Sequence, residues 1–147
     1  MTVTGHKKKN RKSVGGYCVK LNGGVVAYKT KKHSTVALSS AEAEYITVSL
    51  CLQKVQEVLH LLDFLGFEVQ KPVQVHVDNQ AVIKSYKNDA VTLKLKHMDL
   101  KYHYTKDLVK KGLVELKYVS SRENVADQLT KVQPTALYLQ QRAGLVA

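Results

Sequence analysis

Between Gly15 and Lys32 the chain reads GGYCVKLNGGVVAYKTKK, two short runs rich in Val and Tyr on either side of Asn22-Gly23-Gly24. Asn-Gly and Gly-Gly supply the positive φ angles of a tight turn, so the pattern predicts two antiparallel strands. Ser39-Ser40 then precedes a long segment in which Tyr45, Val48, Leu52, Val55, Leu59 and Leu62 recur at intervals of 3, 4, 3, 4 and 3. That is the stripe of an amphipathic helix, which Gly66 ends. Pro72 opens VQVHVD, where Val alternates with polar residues up to Asp78, a short strand. Asn79 to Lys87 predicts a short helix, and Leu95 to Lys111 a second one crowded with Lys, His and Tyr and stopped by Gly112. LVELKYV, residues 113–119, alternates as a strand should; residues 124–144 read as helical except near Pro134. Two or three strands, helix, strand, helices, strand, helix is the order of an α/β layer fold with helices on a partly parallel sheet. Ligands of such sheets gather outside the carboxyl ends of parallel strands, where Asp78 falls.

The 147 residues are the size of one domain, 1–147, with a basic segment over 1–14 and a helical tail over 132–147. No apolar run approaches the 18 or so residues of a membrane span. The basic start has no apolar stretch behind it, so no secretory signal is expected. Two cysteines, Cys18 and Cys51, make neither a disulfide framework nor a metal-ligand spacing. The expectation is an intracellular protein, in a cytoplasmic particle or the nucleus, with no membrane partner. Net charge is +11, and it is uneven: residues 1–41 hold nine Lys or Arg and no acid. Such an excess points to a polyanion, nucleic acid above all.

Three acids stand out by position. Glu44 lies in the first turns of the long helix, Asp78 ends a strand, and Asp127 sits in ENVADQLTK. At about 100° per residue, Glu44 falls roughly 40° from the centre of the apolar stripe and Glu42 about 120° away. Glu44 is therefore expected to face the sheet and Glu42 water. A carboxylate aimed at a sheet needs a partner, and a metal ion shared with other carboxylates is one solution.

KKHSTVALSSAEAEYITVS at 31–49, VHVDNQAVI at 75–83, KHMDLKYHY at 96–104 and YVSSRENVADQLTK at 118–131 together resemble the ribonuclease H domain of copia-type retrotransposon Pol polyproteins, part of the reverse transcriptase. The motifs occur in the family's order and approximate spacing. The resemblance implies a ribonuclease H-like mixed sheet with flanking helices and, with Mg²⁺, hydrolysis of the RNA strand of an RNA–DNA hybrid. By match, Glu44, Asp78 and Asp127 take the catalytic and metal-binding places. A carboxylate cluster of this kind holds two Mg²⁺ about 3.5 to 4 Å apart, one activating water and one stabilising the leaving oxygen. Asn79, Gln80, Lys94, Lys96, Lys101 and His103 match the hybrid-facing region, with Tyr86, Tyr102 and Tyr104 interleaved among its lysines.

The family carries a further aspartate on its first, central strand, in a segment like DADWAG that counts back onto Met1 to Lys7. No Asp or Glu precedes Glu42. That strand is expected to be largely missing, MTVTG at best, unless a second chain or the remainder of the reverse transcriptase supplies it. Hydrolysis is then expected to be impaired. The alternative is a domesticated or truncated remnant that binds nucleic acid or plays a structural part. With no metal in the cluster, mutual repulsion is expected to raise at least one carboxylate pKa.

Overall fold

Asn22 and Gly23 take the left-handed φ values of +48° and +86° and fold strand β2 (Ser13–Leu21) back onto β3 (Gly24–Lys32). The hairpin expected from Asn22-Gly23-Gly24 is present in the computed structural model, which describes residues 2–7, 13–32, 40–87 and 100–145. Before it runs β1 (Thr2–Lys7); after it come α1 (Ser40–Phe64), β4 (Val73–Val77), α2 (Gln80–Lys87), α3 (Leu100–Lys110), β5 (Val114–Tyr118), a 3-10 helix over Val125–Leu129 and α4 (Thr135–Leu145). The five strands form one mixed sheet in the order β3-β2-β1-β4-β5. β1 is antiparallel to β2 and parallel to β4, and β4 is parallel to β5.

The first strand is longer than its sequence suggests. Only MTVTG reads as a strand, yet pairing with β2 carries the extended backbone on to Lys7. It takes the centre of the sheet, so this chain supplies its own central strand. Its shortfall is on the β4 side, where Thr2↔His76 and Val3↔Val77 are the described pairs.

Helix α1 covers the face of the sheet formed by Val3, Tyr17, Val19, Val75 and Val77, and buries Tyr45, Val48, Cys51, Leu52 and Val55 against it. The stripe was legible because 3.6-residue periodicity places these side chains on one side of the cylinder. Both long helix ends close as their glycines predict. Gly66 and Gly112 adopt φ +79° and +68°, and the amides one residue on, of Phe67 and Leu113, reach back to the carbonyls of Leu62 and Leu108.

Tyr86 departs from expectation. It is wholly buried, stacked on Tyr45 with ring centroids 4.5 Å apart and hydrogen-bonded to Ser49. It belongs to the core that joins α2 to α1, not to a nucleic-acid surface.

On the opposite face the 3-10 helix lies on β1 and β2. Gly16 permits the approach, since a Cβ there would stand 2.9 Å from Thr130 Cγ2 and 3.0 Å from Leu129 Cβ. The central strand β1, next to the strand that ends at Asp78, thus has α1 on one side of the sheet and the 3-10 helix on the other.

Candidate functional site

Three elements deliver the acids. Glu44, only 4% exposed, faces inward from α1, while Glu42 is partly exposed, as helix phase predicts. Asp78 follows the last residue of β4, and Asn79 next to it stands just before α2, its Oδ1 accepting the Ala81 amide at 2.9 Å. Asp127 rides on the 3-10 helix. Asn124 caps that helix through Oδ1, which accepts from the Ala126 amide at 3.1 Å, and its Nδ2 donates to the Val3 carbonyl of β1 at 2.7 Å. Asn124 is fully buried, so one side chain fixes the height of Asp127 above the central strand. Asn124→Leu removes the cap and strands the Val3 carbonyl; it should cost about 2–3 kcal/mol in urea unfolding, and an unchanged midpoint would refute this role.

Glu44 and Asp78 come within hydrogen-bonding reach of each other, and the Glu44 carboxyl is pushed up to about 9. Burial is the larger cause and Asp78 the second, so the expected repulsion is present but not dominant; the Asn79 side chain and the Lys131 charge pull the other way. Two ionised carboxylates in contact repel, whereas one proton lets Glu44 donate to Asp78. Asp78 Oδ2 also accepts from Ser121 Oγ at 3.2 Å. Gln141 of α4 holds the loop that carries Ser121, donating to the Ser121 and Arg122 carbonyls at 3.3 and 2.8 Å.

Asp127 is paired differently. Lys131, one helical turn on, places Nζ 2.9 Å from Asp127 Oδ2. One buried oxygen of each acid, Oε1 of Glu44 and Oδ1 of Asp78 and Asp127, has no hydrogen-bond partner. Val3 pairs with Val77, and Thr4 and Asp78 are the residues that follow them in the two strands' direction. Thr4 is fully buried with an unpartnered hydroxyl. The central strand, Thr2–Lys7, holds no acid.

No family model matches the chain. Among known proteins it is 36% identical over 125 residues to the retrovirus-related Pol polyprotein from transposon TNT 1-94 of Nicotiana tabacum, a match covering 85% of this chain and 9% of that protein. Among solved structures it resembles the N-terminal RNase H domain of rv2228c from Mycobacterium tuberculosis, with a TM-score of 0.64, 14% identity and coverage of 97% and 95% of the two chains. It also resembles LC11-RNase H1 in complex with an RNA/DNA hybrid, with a TM-score of 0.62, 15% identity and coverage of 88% and 91%. This chain is a ribonuclease H-like domain of the copia-type retrotransposon Pol family.

A ribonuclease H fold implies a divalent metal at its carboxylates, and the donors here can be tested against one. Among the described residues no three His, Cys, Asp or Glu side chains converge closely enough to hold an ion. The cluster of this Pol-family domain is split instead: Glu44 leans on Asp78, and Asp127 on Lys131. Among the described residues, Glu44, Asp78 and Asp127 do not form a three-ligand site for a metal ion.

Of the residues expected to meet nucleic acid, Asn79 immediately precedes α2, Gln80 begins it and His103 is exposed on α3. Lys94 and Lys96 lie outside the described residues; Lys101 has its backbone in α3 and its side chain outside that description. No helix among the described residues is long and apolar enough to cross a membrane. Lys131, Ser121, Asn124 and Gln141 were not singled out from the sequence of this ribonuclease H-like domain. Lys131 could have been, because Asp127 and Lys131 stand at i and i+4, a spacing that places side chains together on a helix face.

Proposed function

We propose that this domain binds RNA–DNA hybrid, or another nucleic acid, through its basic surface and hydrolyses RNA very slowly or not at all. The observation that carries the reading is the divided carboxylate cluster, with Glu44 against Asp78, Asp127 held by Lys131, and no acid on the central strand. In-line hydrolysis needs oxygen donors that hold two ions at a fixed spacing. Here the residues bind and orient without providing them. The role of Glu44 and Asp78 is then to tie α1 to the end of β4, while Asp127 holds Lys131.

Binding is supported by the hairpin. Lys29, Lys31 and Lys32 are exposed along the edge strand β3, Lys20 lies on β2 beside it, and neither strand holds an acid. Lysines of this kind act as point charges for phosphates and give affinity without sequence choice. Because the central strand belongs to this chain, the reading does not need a second chain to complete the sheet. The chain spans 9% of the TNT 1-94 polyprotein, and contact with a remainder of reverse transcriptase is compatible with the reading but is not needed for it.

The test is a salt titration. Hybrid affinity should fall steeply as salt rises, since each neutralised phosphate releases a counterion. Replacing Lys94, Lys96 and Lys101 together should flatten the plot of log K against log salt by about three units if all three meet phosphate. A slope near zero for the unaltered domain would mean that the basic excess only keeps the protein soluble.

A further inference from the structure

Strand β3 is an edge of the sheet, and what it exposes is not only charge. Tyr28 is 72% exposed and Val26 50%, beside the exposed Lys29, Lys31 and Lys32. Register sorts these side chains by face. Tyr17 and Val19 point into the core under α1, so Cys18, Gly16 and their partners across the hairpin, Tyr28 and Thr30, point to the other side of the sheet. Thr30 meets the 3-10 helix there, its Oγ1 donating to the Leu129 carbonyl at 3.1 Å. Tyr28, two residues away on the same face, stays uncovered.

The ring stands in a cationic setting. Lys32 shares its face by alternation along β3, and Lys20 by alternation along β2. A Cβ on Gly144 of α4 would come 4.0 Å from Lys20 Nζ, so α4 borders the same face, and it adds the exposed Arg142. β2, β3 and α4 contain no acid. The 3-10 helix holds one, Asp127, which is buried and paired with Lys131. Lysines on an edge strand also discourage pairing with another chain, but charge alone performs that duty and leaves the exposed ring unexplained.

We propose that the outer face of the hairpin of β2 and β3 is a platform for unpaired nucleotides, on which Tyr28 stacks a base while Lys20, Lys32 and Arg142 take the neighbouring phosphates. The inference rests on the reading of the basic surface as one that binds nucleic acid, and names the form of nucleic acid that this part of it takes. Inside a duplex the faces of each base are covered by its neighbours, so a ring standing out from a strand finds an open base face only where the nucleic acid is single-stranded. Stacking accepts any base, and lysines hold phosphates without reading sequence. The platform is therefore indifferent to sequence.

The experiment measures binding of oligo(dT), oligo(U), hybrid duplex and inorganic polyphosphate at one salt concentration by the unaltered domain, Tyr28→Thr, Tyr28→Phe and Tyr28→Trp. Threonine keeps a strand-forming residue and removes the ring. Tyr28→Thr should bind oligo(dT) and oligo(U) at least about fivefold more weakly, equally for both because base face and phosphate are common to them, and bind hybrid and polyphosphate within about twofold of the unaltered domain. Tyr28→Phe keeps the ring and should retain the affinity for both oligonucleotides. The chain contains no Trp, so Tyr28→Trp reports from position 28 alone; its emission should be quenched by either oligonucleotide and not by polyphosphate.

A Tyr28→Thr domain that binds both oligonucleotides as the unaltered one does, an equal loss on the hybrid, or an emission from Tyr28→Trp that saturating oligonucleotide leaves unchanged would overturn the proposal. Any of these, with hybrid binding still steeply dependent on salt, would sink this inference alone. A domain that binds neither hybrid nor oligonucleotide would sink the functional reading with it.

Discussion

Glu44→Gln should make the domain more stable than the unaltered chain at pH 8 and remove most of the pH dependence of unfolding between about 4.5 and 9. The Glu44 carboxyl titrates near its ordinary 4.5 once the chain unfolds, but is held at about 9 in the fold, first by burial and then by Asp78. Below pH 4.5 it is protonated in both states and its contribution is whole. As pH rises past 4.5 the unfolded chain releases the proton while the folded one keeps it, and stability falls. The fall stops near pH 9, where the folded carboxyl ionises too. At its steepest the slope is about 1.4 kcal/mol per pH unit, and several kcal/mol are lost across the window. Glutamine is neutral throughout and its amide can donate to Asp78 as the protonated carboxyl does. The phenols of Tyr17, Tyr45 and Tyr86 and the thiols of Cys18 and Cys51 are all pushed above their ordinary values of 9 or higher, mainly by burial, and so stay out of this window. Urea midpoints measured for both proteins from pH 4.5 to 9 decide the matter. Parallel curves would mean that Glu44 ionises freely in the fold, with no proton held against Asp78.

Much of this site was legible where local periodicity and burial agree. Helix phase separated Glu44 from Glu42 because α1 lies flat on the sheet, so an angle on the helical wheel translates directly into depth. Asn22 and Gly23 announced the hairpin because few other residues accept their φ values. The length of β1 was not legible, since GHK has no strand pattern of its own and is extended by pairing with Val14 and Ser13 across the hairpin. Here tertiary pairing overrode propensity. Tyr86 was grouped with the lysines around it, although Val82, Ile83 and Tyr86 stand at helical spacing and mark a buried face of α2. Lys131 escaped notice for a different reason. The metal-ligand motif accounts for Asp127 by itself, so nothing in it calls for an ion pair with Lys131 at i+4.

The central claim is that the domain binds a hybrid without cutting it, and the direct measurement is single-turnover cleavage of a labelled RNA–DNA hybrid in Mg²⁺, with the domain saturating and binding recorded in the same tubes. Losing the arrangement that stabilises both the attacking and the leaving oxygen should lower the rate at least about a thousandfold relative to a complete copia-type domain, equivalent to about 4 kcal/mol of barrier. The account predicts full binding, little or no product, and a residual rate that Asp78→Asn leaves unchanged. Cleavage within about tenfold of the complete domain, abolished by Asp78→Asn while binding persists, would contradict it.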